Sequence, residues 1–493
     1  MNMEGLGFRS ATELLDLLRS RKLGAVELLR HYLARVEKYN PALNVVVAQD
    51  VEGALAAAHS ADERSASDLP ALHGLPMTIK DTYEVTGMPA TCGFPFLAQH
   101  VPQHDADAVT RLKAAGAVVF GKTNVPTAAF DWQSYNPVYG TSNNPWDLKR
   151  TPGGSSGGSA GAIAAGLTGL EIGSDIGGSI RCPAHFCGVY GHKPSYGLVP
   201  MRGHIPPMPG EYLSYELGVG GPIARSAQDL ELALDVLAAP SALEAPAWSV
   251  RIPPSRHERL QDFRVALWAD EGTFAVDARC LDAIEAYAQD LRRLGVTVDA
   301  KARPDFDPSA SYETYLKTLL QPMGSTLPPD AIQSIVSRAA SLPPDSSSYT
   351  ARAARVLAMR AYETFAVAEQ RERLFRSWRE FFTRYDLVIC PVAAVVAYPH
   401  DHRGEGATDP VSTAESRSML VNGSPRPYWD GLQWPSLAVV ANLPATAVPT
   451  GRFIEGLPMG VQLMGPYLED RTPLRFAQLV ERAMGGFKAP GGY

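Results

Sequence analysis

Two clusters of glycine and serine are the first places where this sequence could do chemistry. Residues 153–158 are Gly-Gly-Ser-Ser-Gly-Gly, and residues 173–179 are Gly-Ser-Asp-Ile-Gly-Gly-Ser. Paired glycines directly before a serine let consecutive N–H groups converge on one point, which is the geometry of an oxyanion hole. Taken alone, either cluster is equally typical of a Gly-rich turn that carries a solvated serine.

Two better-known motifs match these regions of the sequence, but their surroundings do not support them. Residues 116–123 fit G-x-x-x-x-G-K-[ST], yet the four inner residues are Ala, Val, Val and Phe, which favour a strand over a phosphate-binding loop. G-x-S-x-G occurs twice, centred on Ser155 and on Ser156. A nucleophile elbow needs a preceding strand, whereas residues 147–152 are typical of a turn, and no later histidine stands at the end of an apolar strand.

A lysine supplies the candidate base. Lys80 lies in residues 74–85, whose alternating pattern predicts a strand. A lysine at a strand end is usually solvated, but a buried one would lose its charge and become a base. Asp175 and Arg181 flank the end of the second serine cluster, where they could hold the loop rigid or form an ordinary surface ion pair.

The elements that must position these residues are strands alternating with helices. The sequence predicts helices within residues 10–39, 105–115, 160–169, 277–294 and 310–384, and strands within 74–85, 117–120, 263–269 and 387–389. We expect a surface loop over 400–430 and two strands over 436–464 around Pro449-Thr450-Gly451. This alternation predicts an α/β fold with a mostly parallel or mixed sheet.

Composition excludes several classes of protein. The 493 residues carry a net charge of −7, so the basic surface that nucleic-acid binding requires is missing. The sequence has no run of 18 apolar residues and no signal peptide, and its five cysteines contain no C-x-x-C. We therefore expect a cytoplasmic protein that binds neither nucleic acid nor membrane and has no disulfide framework or zinc site.

Taken together, the motifs resemble those of the amidase signature family. The matching segments are residues 74–81, 121–126, 143–146, 152–159, 173–181, 183–184, 186–188, 221–226 and 456–462. The step of 24 residues from Ser155 to Ser179 also matches the family's pattern. The resemblance covers nearly the whole chain except residues 240–430, where the family itself varies, and it explains the false phosphate-loop match.

The resemblance implies a Ser–cis-Ser–Lys triad. Ser179 would be the nucleophile, Ser155 the bridging serine after a cis Gly154–Ser155 peptide bond, and Lys80 the neutral base. The implied oxyanion hole consists of the backbone amides of Ile176, Gly177, Gly178 and Ser179. The loops would be supported by Gly154, Ser156, Asp175 and Arg181. The family requires no metal and no organic cofactor.

The resemblance also implies one large domain over residues 1–493, with a mixed twisted β-sheet sandwiched by α-helices. Its conserved-type core would span about 65–240 and 436–465, and the variable region of about 240–430 would contribute to the substrate pocket. The candidate substrate-binding residues are Ala129, Phe130, Trp132, Gln133 and Tyr135, with Tyr428, Trp429 and Trp434 available from the variable region. For Phe130, packing in the core is an equally good interpretation.

These aromatic residues, and the absence of an evident charged clamp, predict a hydrolase of neutral, hydrophobic or aromatic amides. The same acyl chemistry would extend to carbamates (urethanes) and esters. Two alternatives stay open: the glutaminase subunit of a tRNA-dependent amidotransferase, and an inactive binding protein, which the intact triad disfavours. We expect a small-molecule amide or carbamate as the partner, and a monomer or homodimer.

Overall fold

The fold is built on one large mixed sheet. The computed structural model describes residues 5–65, 67–213, 215–324, 328–343, 346, 348–404 and 416–493. The strands are β1 (Val46–Gln49), β2 (Pro76–Lys80), β3 (Val118–Thr123), β4 (Tyr135–Asn136), β5 (Gly140–Thr141), β6 (Glu171–Asp175), β7 (Tyr190–Lys193), β8 (Val219–Ala224), β9 (Arg264–Leu267), β10 (Thr297–Asp299), β11 (Leu387–Pro391), β12 (Ser418–Val421), β13 (Ser424–Pro427), β14 (Ala445–Ile454) and β15 (Leu457–Met464).

Eleven of these strands form the main sheet, in the order β1-β3-β2-β6-β8-β7-β14-β15-β11-β9-β10. β2 is parallel to β3 and β6, and β9 is parallel to β10 and β11, whereas the other pairs in the sheet are antiparallel. Strands from both ends of the chain meet in this sheet, which makes the protein a single large α/β domain.

Helices sandwich the sheet. Each segment that the apolar periodicity predicts to be helical contains helical residues, whereas further helices lie outside those segments, among them Val51–Glu63, Arg181–Cys187, Gln433–Val440 and Arg471–Met484. The α-helices are α1 (Ala11–Arg19), α2 (Ala25–Leu43), α3 (Val51–Glu63), α4 (Asp107–Ala114), α5 (Gly157–Ala164), α6 (Arg181–Cys187), α7 (Ala227–Leu237), α8 (Ala278–Arg293), α9 (Pro308–Met323), α10 (Pro329–Ser341), α11 (Tyr349–Leu357), α12 (Thr364–Phe381), α13 (Gln433–Val440) and α14 (Arg471–Met484). A reciprocal capping box between Ser10 and Glu13 begins α1, which buries Leu14, Leu15 and Leu18.

The parallel strands β2 and β6 position the predicted site. They are neighbours in register, with Thr78 opposite Glu171 and Ile79 opposite Ile172. Because the carboxyl ends of parallel strands meet at the same edge, the end of β2 and the loop after β6 lie together. Residues 118–123 form β3 itself, so the phosphate-loop pattern is part of a strand, as its apolar residues predict.

Two predicted segments differ in the structure. Residues 400–430 are not simply a surface loop: β12 and β13 form a hairpin, a short 3₁₀ helix over Tyr428–Leu432 follows, and residues 405–415 lie outside the described part. Residues 436–440 belong to α13, because an apolar run buried on every side suits a helix as well as a strand. The β14–β15 turn is at Glu455-Gly456, both with positive φ, and not at Pro449–Gly451.

Candidate active site

Lys80 is a buried lysine next to a serine hydroxyl. It is the last residue of β2 and has no exposed surface. Its Nζ lies 2.6 Å from Ser155 Oγ and 2.9 Å from Ser174 Oγ. Burial disfavours the charged ammonium and lowers the pKa of Lys80 from 10.5 to about 7. The side chain is therefore not the solvated lysine that strand ends usually carry, and it can act as a base near neutral pH.

The loop before α5 holds Ser155 against two other segments. The Gly154–Ser155 peptide bond is cis, as the resemblance implies. A Cβ on Gly154 would lie 2.4 Å from the carbonyl oxygen of Asp131, so only glycine fits there. The amide of Ser156 donates to the carbonyl of Ser179 over 3.1 Å. This bond joins the two serine clusters of the sequence at one place.

The loop that carries Ser179 is fixed through its carbonyl groups. Tyr315 donates its hydroxyl hydrogen to the carbonyl of Ile176 over 3.1 Å, and Trp132 Nε1 donates to the carbonyl of Gly177 over 3.0 Å. Within the described part of the chain, no acceptor bonds the amides of Ile176, Gly177 and Ser179. Three N–H groups are thus left open beside the candidate nucleophile, where a developing oxyanion would need them.

Gly178 differs from the other three amides of the expected oxyanion hole. Its N–H donates to Asp175 Oδ1 over 2.9 Å, because that carboxylate turns back under its own loop. Asp175 also forms a two-pronged ion pair with Arg181, over 3.0 and 2.9 Å, and both side chains are buried. Burial alone would raise the pKa of Asp175, but Arg181 and the Gly178 amide hold it at about 2. The pair is therefore an internal support of the loop and not a surface ion pair.

The hydroxyl of Ser179 is the member of the predicted triad that the structure leaves unpaired. It has no hydrogen bond to Ser155 or to any other described residue, although Ser155 itself bonds Lys80. Hydrogen bonds between catalytic groups are often long without substrate and tighten when substrate binds. The structure thus brings Lys80 and Ser155 into contact and places Ser179 beside them through its backbone.

Of the candidate pocket residues, Phe130 and Ala129 are half-buried. The ring of Phe130 packs against Trp429 with centroids 5.0 Å apart, and Trp429 packs in turn on Tyr349. Ala129, at φ 54°, packs against a small apolar cluster that includes Ile205. We call Phe130, Trp429 and Tyr349 the aromatic wall.

Three other predicted pocket residues already use their polar groups in hydrogen bonds within the protein. Trp132 bonds the Gly177 carbonyl, as described. Gln133 exchanges two hydrogen bonds with the backbone of Asp401, over 2.7 and 2.8 Å. The hydroxyl of Tyr135 bonds Arg417. These polar groups fasten neighbouring segments together and are not free for a substrate.

Trp434 is likewise a core residue. Its ring packs against Trp268 and Phe274. Its indole N–H donates to the carbonyl of Ala275 over 3.2 Å, so the polar edge of the ring is also occupied. Trp434 therefore packs the fold and does not contribute a free group to the pocket.

Sequence reasoning missed a buried ion pair at Asp131, the residue that follows Phe130. The carboxylate of Asp131 accepts hydrogen bonds from the Arg417 guanidinium and from the Tyr428 hydroxyl. Arg417 also donates to the carbonyl of Arg403 over 2.6 Å. The only signal available was the position of Asp131 inside the predicted pocket segment. The pair means that the charge of Arg417 is already neutralised.

Sequence reasoning also missed the hydrogen bond of the base to Ser174 and the bond of Ser174 to His204. Ser174 contacts Lys80 directly, and His204 Nε2 lies 2.9 Å from Ser174 Oγ. Ser174 lies within a cluster that was singled out, but the sequence around His204 carries no signal of this contact. In the part of the chain that the structure describes, no helix is long and apolar enough to cross a membrane, and no group of three or more His, Cys, Asp or Glu side chains could hold a metal ion.

Comparison with known proteins identifies relatives along the whole chain. A model of the amidase family matches residues 27–474. An indoleacetamide hydrolase from Bradyrhizobium diazoefficiens is 32% identical, over 96% of this chain and 86% of the relative. A glutamyl-tRNA(Gln) amidotransferase subunit from Nitrosococcus oceani is 30% identical, over 98% of this chain and 99% of the relative. The solved structure of a 6-aminohexanoate cyclic dimer hydrolase complexed with substrate aligns with a TM-score of 0.77 at 26% identity, over 98% of this chain and 99% of that one.

Proposed function

The chain belongs to the amidase signature family of amidohydrolases, and we propose that it hydrolyses neutral, hydrophobic or aromatic amides through an acyl-enzyme at Ser179. The observation that carries this proposal is the buried Lys80, 2.6 Å from Ser155 and beside a loop with open amides. Among the described residues, Lys80 Nζ has hydrogen-bond partners only in Ser155 and Ser174, and it forms no ion pair with a carboxylate. A buried lysine without a counter-ion favours the neutral base over a structural cation.

The proposed reaction moves one proton along the serines. Lys80 accepts the proton of Ser155 while Ser155 Oγ takes the proton of Ser179, whose oxygen attacks the amide carbonyl carbon. The resulting oxyanion binds the open amides of Ile176, Gly177 and Ser179. The relay then runs backwards and protonates the leaving amine as the C–N bond breaks. A water molecule, deprotonated through the same relay, hydrolyses the acyl-enzyme and releases Ser179.

The aromatic wall supports an apolar acyl or amine group on the substrate. Phe130 is the half-buried member of the wall, and it packs on the almost fully buried Trp429. An apolar surface discriminates between related groups by only ~1–3 kcal/mol per methylene, so broad acceptance is expected. The indoleacetamide hydrolase among the relatives supports aromatic amides. Carbamates and esters follow from the same acyl chemistry.

A second candidate is the glutaminase component of an amidotransferase. It is favoured by the match to the glutamyl-tRNA(Gln) amidotransferase relative along almost the full length of both chains. Free glutamine carries an ammonium and a carboxylate that its site must bind. The buried Arg417 and Asp131 neutralise each other instead, which is why we rank this candidate second.

A hydrolysis panel distinguishes the two candidates. Initial rates on a p-nitroanilide, an aryl carbamate, a p-nitrophenyl ester and L-glutamine are compared under one condition, with Ser179→Ala as the control for adventitious activity. We expect turnover of the aromatic substrates and little of glutamine. Glutamine hydrolysis that equals the aromatic rates, or that appears only with added amidotransferase components, would favour the second candidate. Equal rates in Ser179→Ala would contradict the acyl-enzyme.

A further inference from the structure

A chain of hydrogen bonds leads from Lys80 away from Ser155. Lys80 Nζ lies 2.9 Å from Ser174 Oγ, and Ser174 Oγ lies 2.9 Å from His204 Nε2. The other ring nitrogen of His204, Nδ1, lies 3.0 Å from the carbonyl oxygen of Pro206. The catalytic cycle proposed above uses neither Ser174 nor His204.

The carbonyl of Pro206 determines which group donates and which accepts in each of these hydrogen bonds. A carbonyl can only accept, so the neutral imidazole of His204 carries its hydrogen on Nδ1 and its lone pair on Nε2. Nε2 then accepts from the Ser174 hydroxyl, and the Ser174 oxygen accepts an N–H of Lys80. Burial and the nearby Lys80 lower the pKa of His204 to about 3, which keeps the ring neutral when the base is working.

The direction of these hydrogen bonds decides where the lone pair of Lys80 points. A neutral lysine has two N–H groups and one lone pair. One N–H donates to Ser174 Oγ over 2.9 Å. The other donates to the carbonyl oxygen of Ser174, which lies 3.5 Å from Nζ. The lone pair is then left for Ser155, 2.6 Å away, which is the partner whose proton it must accept.

We propose that His204 is a positioning residue for the base: by accepting the hydrogen of Ser174, it turns the lone pair of Lys80 toward Ser155. Without His204, the Ser174 hydroxyl can donate its hydrogen to Nζ and compete with Ser155 for that lone pair. This inference rests on the proposed function, because it assumes that Lys80 is the base.

Backbone pairing keeps His204 next to the base. Residues 203–205 run beside residues 82–84, which follow directly on β2, and two backbone hydrogen bonds of 2.6 and 2.8 Å join the two stretches. The ring of Tyr83 also meets the imidazole edge-on, with centroids 5.0 Å apart. The half-buried His204 is therefore held in one place relative to Lys80, as a positioning role requires.

The other ionisable groups around Lys80 and His204 cannot take over the role of His204 as acceptor for Ser174. The groups that act on Lys80 or contact His204 are Cys92, Asp175, Glu171 and Tyr83. Burial raises the pKa of Cys92 and of Tyr83 well above the working range, and Arg181 keeps Asp175 ionised. Burial also raises the pKa of Glu171, to about 8. Because Glu171 is unchanged in every variant below, comparison of the variants isolates the contribution of His204.

The test compares two substitutions of one residue. His204→Phe keeps a ring of similar size without an acceptor, whereas His204→Gln offers an amide oxygen near the position of Nε2. kcat/KM is measured from about pH 5 to 9, on the best substrate of the hydrolysis panel. His204→Phe should lower the plateau about tenfold and move the acid limb about one pH unit lower, because protonated Lys80 loses a polarised acceptor. His204→Gln should restore most of the plateau value of kcat/KM and reverse most of the shift of the acid limb.

Controls separate this role from folding. His59→Phe, at an exposed position of α3, should leave the profile unchanged. Circular dichroism and the melting temperature check each variant, and His204→Leu replaces the phenylalanine variant if that one does not fold. Ser174→Ala/His204→Phe should lose no more activity than Ser174→Ala alone, because the effect of His204 passes through the Ser174 hydroxyl.

Three results would overturn the inference: a wild-type acid limb in His204→Phe, equal losses in His204→Phe and His204→Gln, or additive losses with Ser174→Ala. Each would leave His204 as a structural fastening of its loop, with the proposed function intact. Full activity in Lys80→Met would instead refute the proposed function itself.

Discussion

Replacing Lys80 by methionine should change how the stability of the fold depends on pH. Burial lowers the pKa of Lys80 from 10.5 to about 7. The folded protein therefore gives up this proton about 3.5 pH units before the unfolded chain does. Since one pH unit corresponds to ~1.36 kcal/mol, keeping a charged lysine in this position costs on the order of 5 kcal/mol.

Whether the fold becomes more or less stable as pH rises depends on which state, folded or unfolded, holds the proton of Lys80. Below about pH 7 both states are protonated and the full cost is present. Between about pH 7 and 10.5 only the unfolded chain is protonated, so rising pH favours the folded state and the cost fades. Lys80→Met has no such dependence. Between pH 7 and 9, the free energy of unfolding of the wild type should therefore rise by about 2 kcal/mol relative to Lys80→Met.

Guanidinium unfolding followed by tryptophan fluorescence at pH 7, 8 and 9 measures this difference. Methionine leaves the hydroxyls of Ser155 and Ser174 without their partner, at ~1–3 kcal/mol each, but this loss is the same at every pH and cancels. Lys193, whose pKa burial also lowers to about 7, is present in both proteins and cancels too. The exposed Lys149→Met should follow the wild type. A difference between wild type and Lys80→Met that does not change with pH would refute the burial argument, because it would mean that the folded protein keeps Lys80 charged.

Three further predictions concern the same site. kcat/KM should fall about tenfold per pH unit below about pH 7, as Lys80 gains its proton, and a flat pH–rate profile from about pH 5.5 to 8.5 would contradict this. Asp175→Asn should lower the free energy of unfolding by ~3–5 kcal/mol, because it leaves the buried Arg181 without its counter-ion; the partly exposed Asp262→Asn, in a surface ion pair with Arg259, should leave it nearly unchanged, and equal effects in chemical unfolding would count against the buried pair. Tyr315→Phe frees the Ile176 carbonyl and should lower kcat about tenfold with KM nearly constant; an unchanged kcat at saturating substrate would show that the loop does not need this bond.

The sequence could predict most of the residues that the structure brings together at the candidate site, because their signals are local. Paired glycines and serines are visible as short patterns, and alternating hydrophobicity marks the strand that ends at Lys80. The α/β fold with its mixed sheet, predicted from alternating strands and helices and from the family resemblance, is confirmed. The roles of Lys80, Ser155 and Ser179 stay a prediction that only chemistry on the protein can test.

The features of the site that the sequence does not predict depend on contacts between residues that are far apart in the chain. Asp131 and Arg417 are 286 residues apart, and a buried charge cannot be told from a surface charge until its partner is known. The contact of His204 with Ser174 arises only when residues 203–205 pair with residues 82–84. Residues 436–440 form a helix although their pattern predicts a strand, because a short apolar run has no period that separates a helix from a buried strand.

Covalent labelling tests the identity of the nucleophile most directly. The wild type is treated with a serine-directed fluorophosphonate, and intact mass and peptide mapping locate the adduct. We expect one adduct per chain, on Ser179, and its loss in Ser179→Ala together with all turnover. Labelling should also become far slower in Lys80→Met. An adduct on Ser155 or Ser156, or undiminished labelling in Ser179→Ala, would contradict the assignment of Ser179 as the acylated residue.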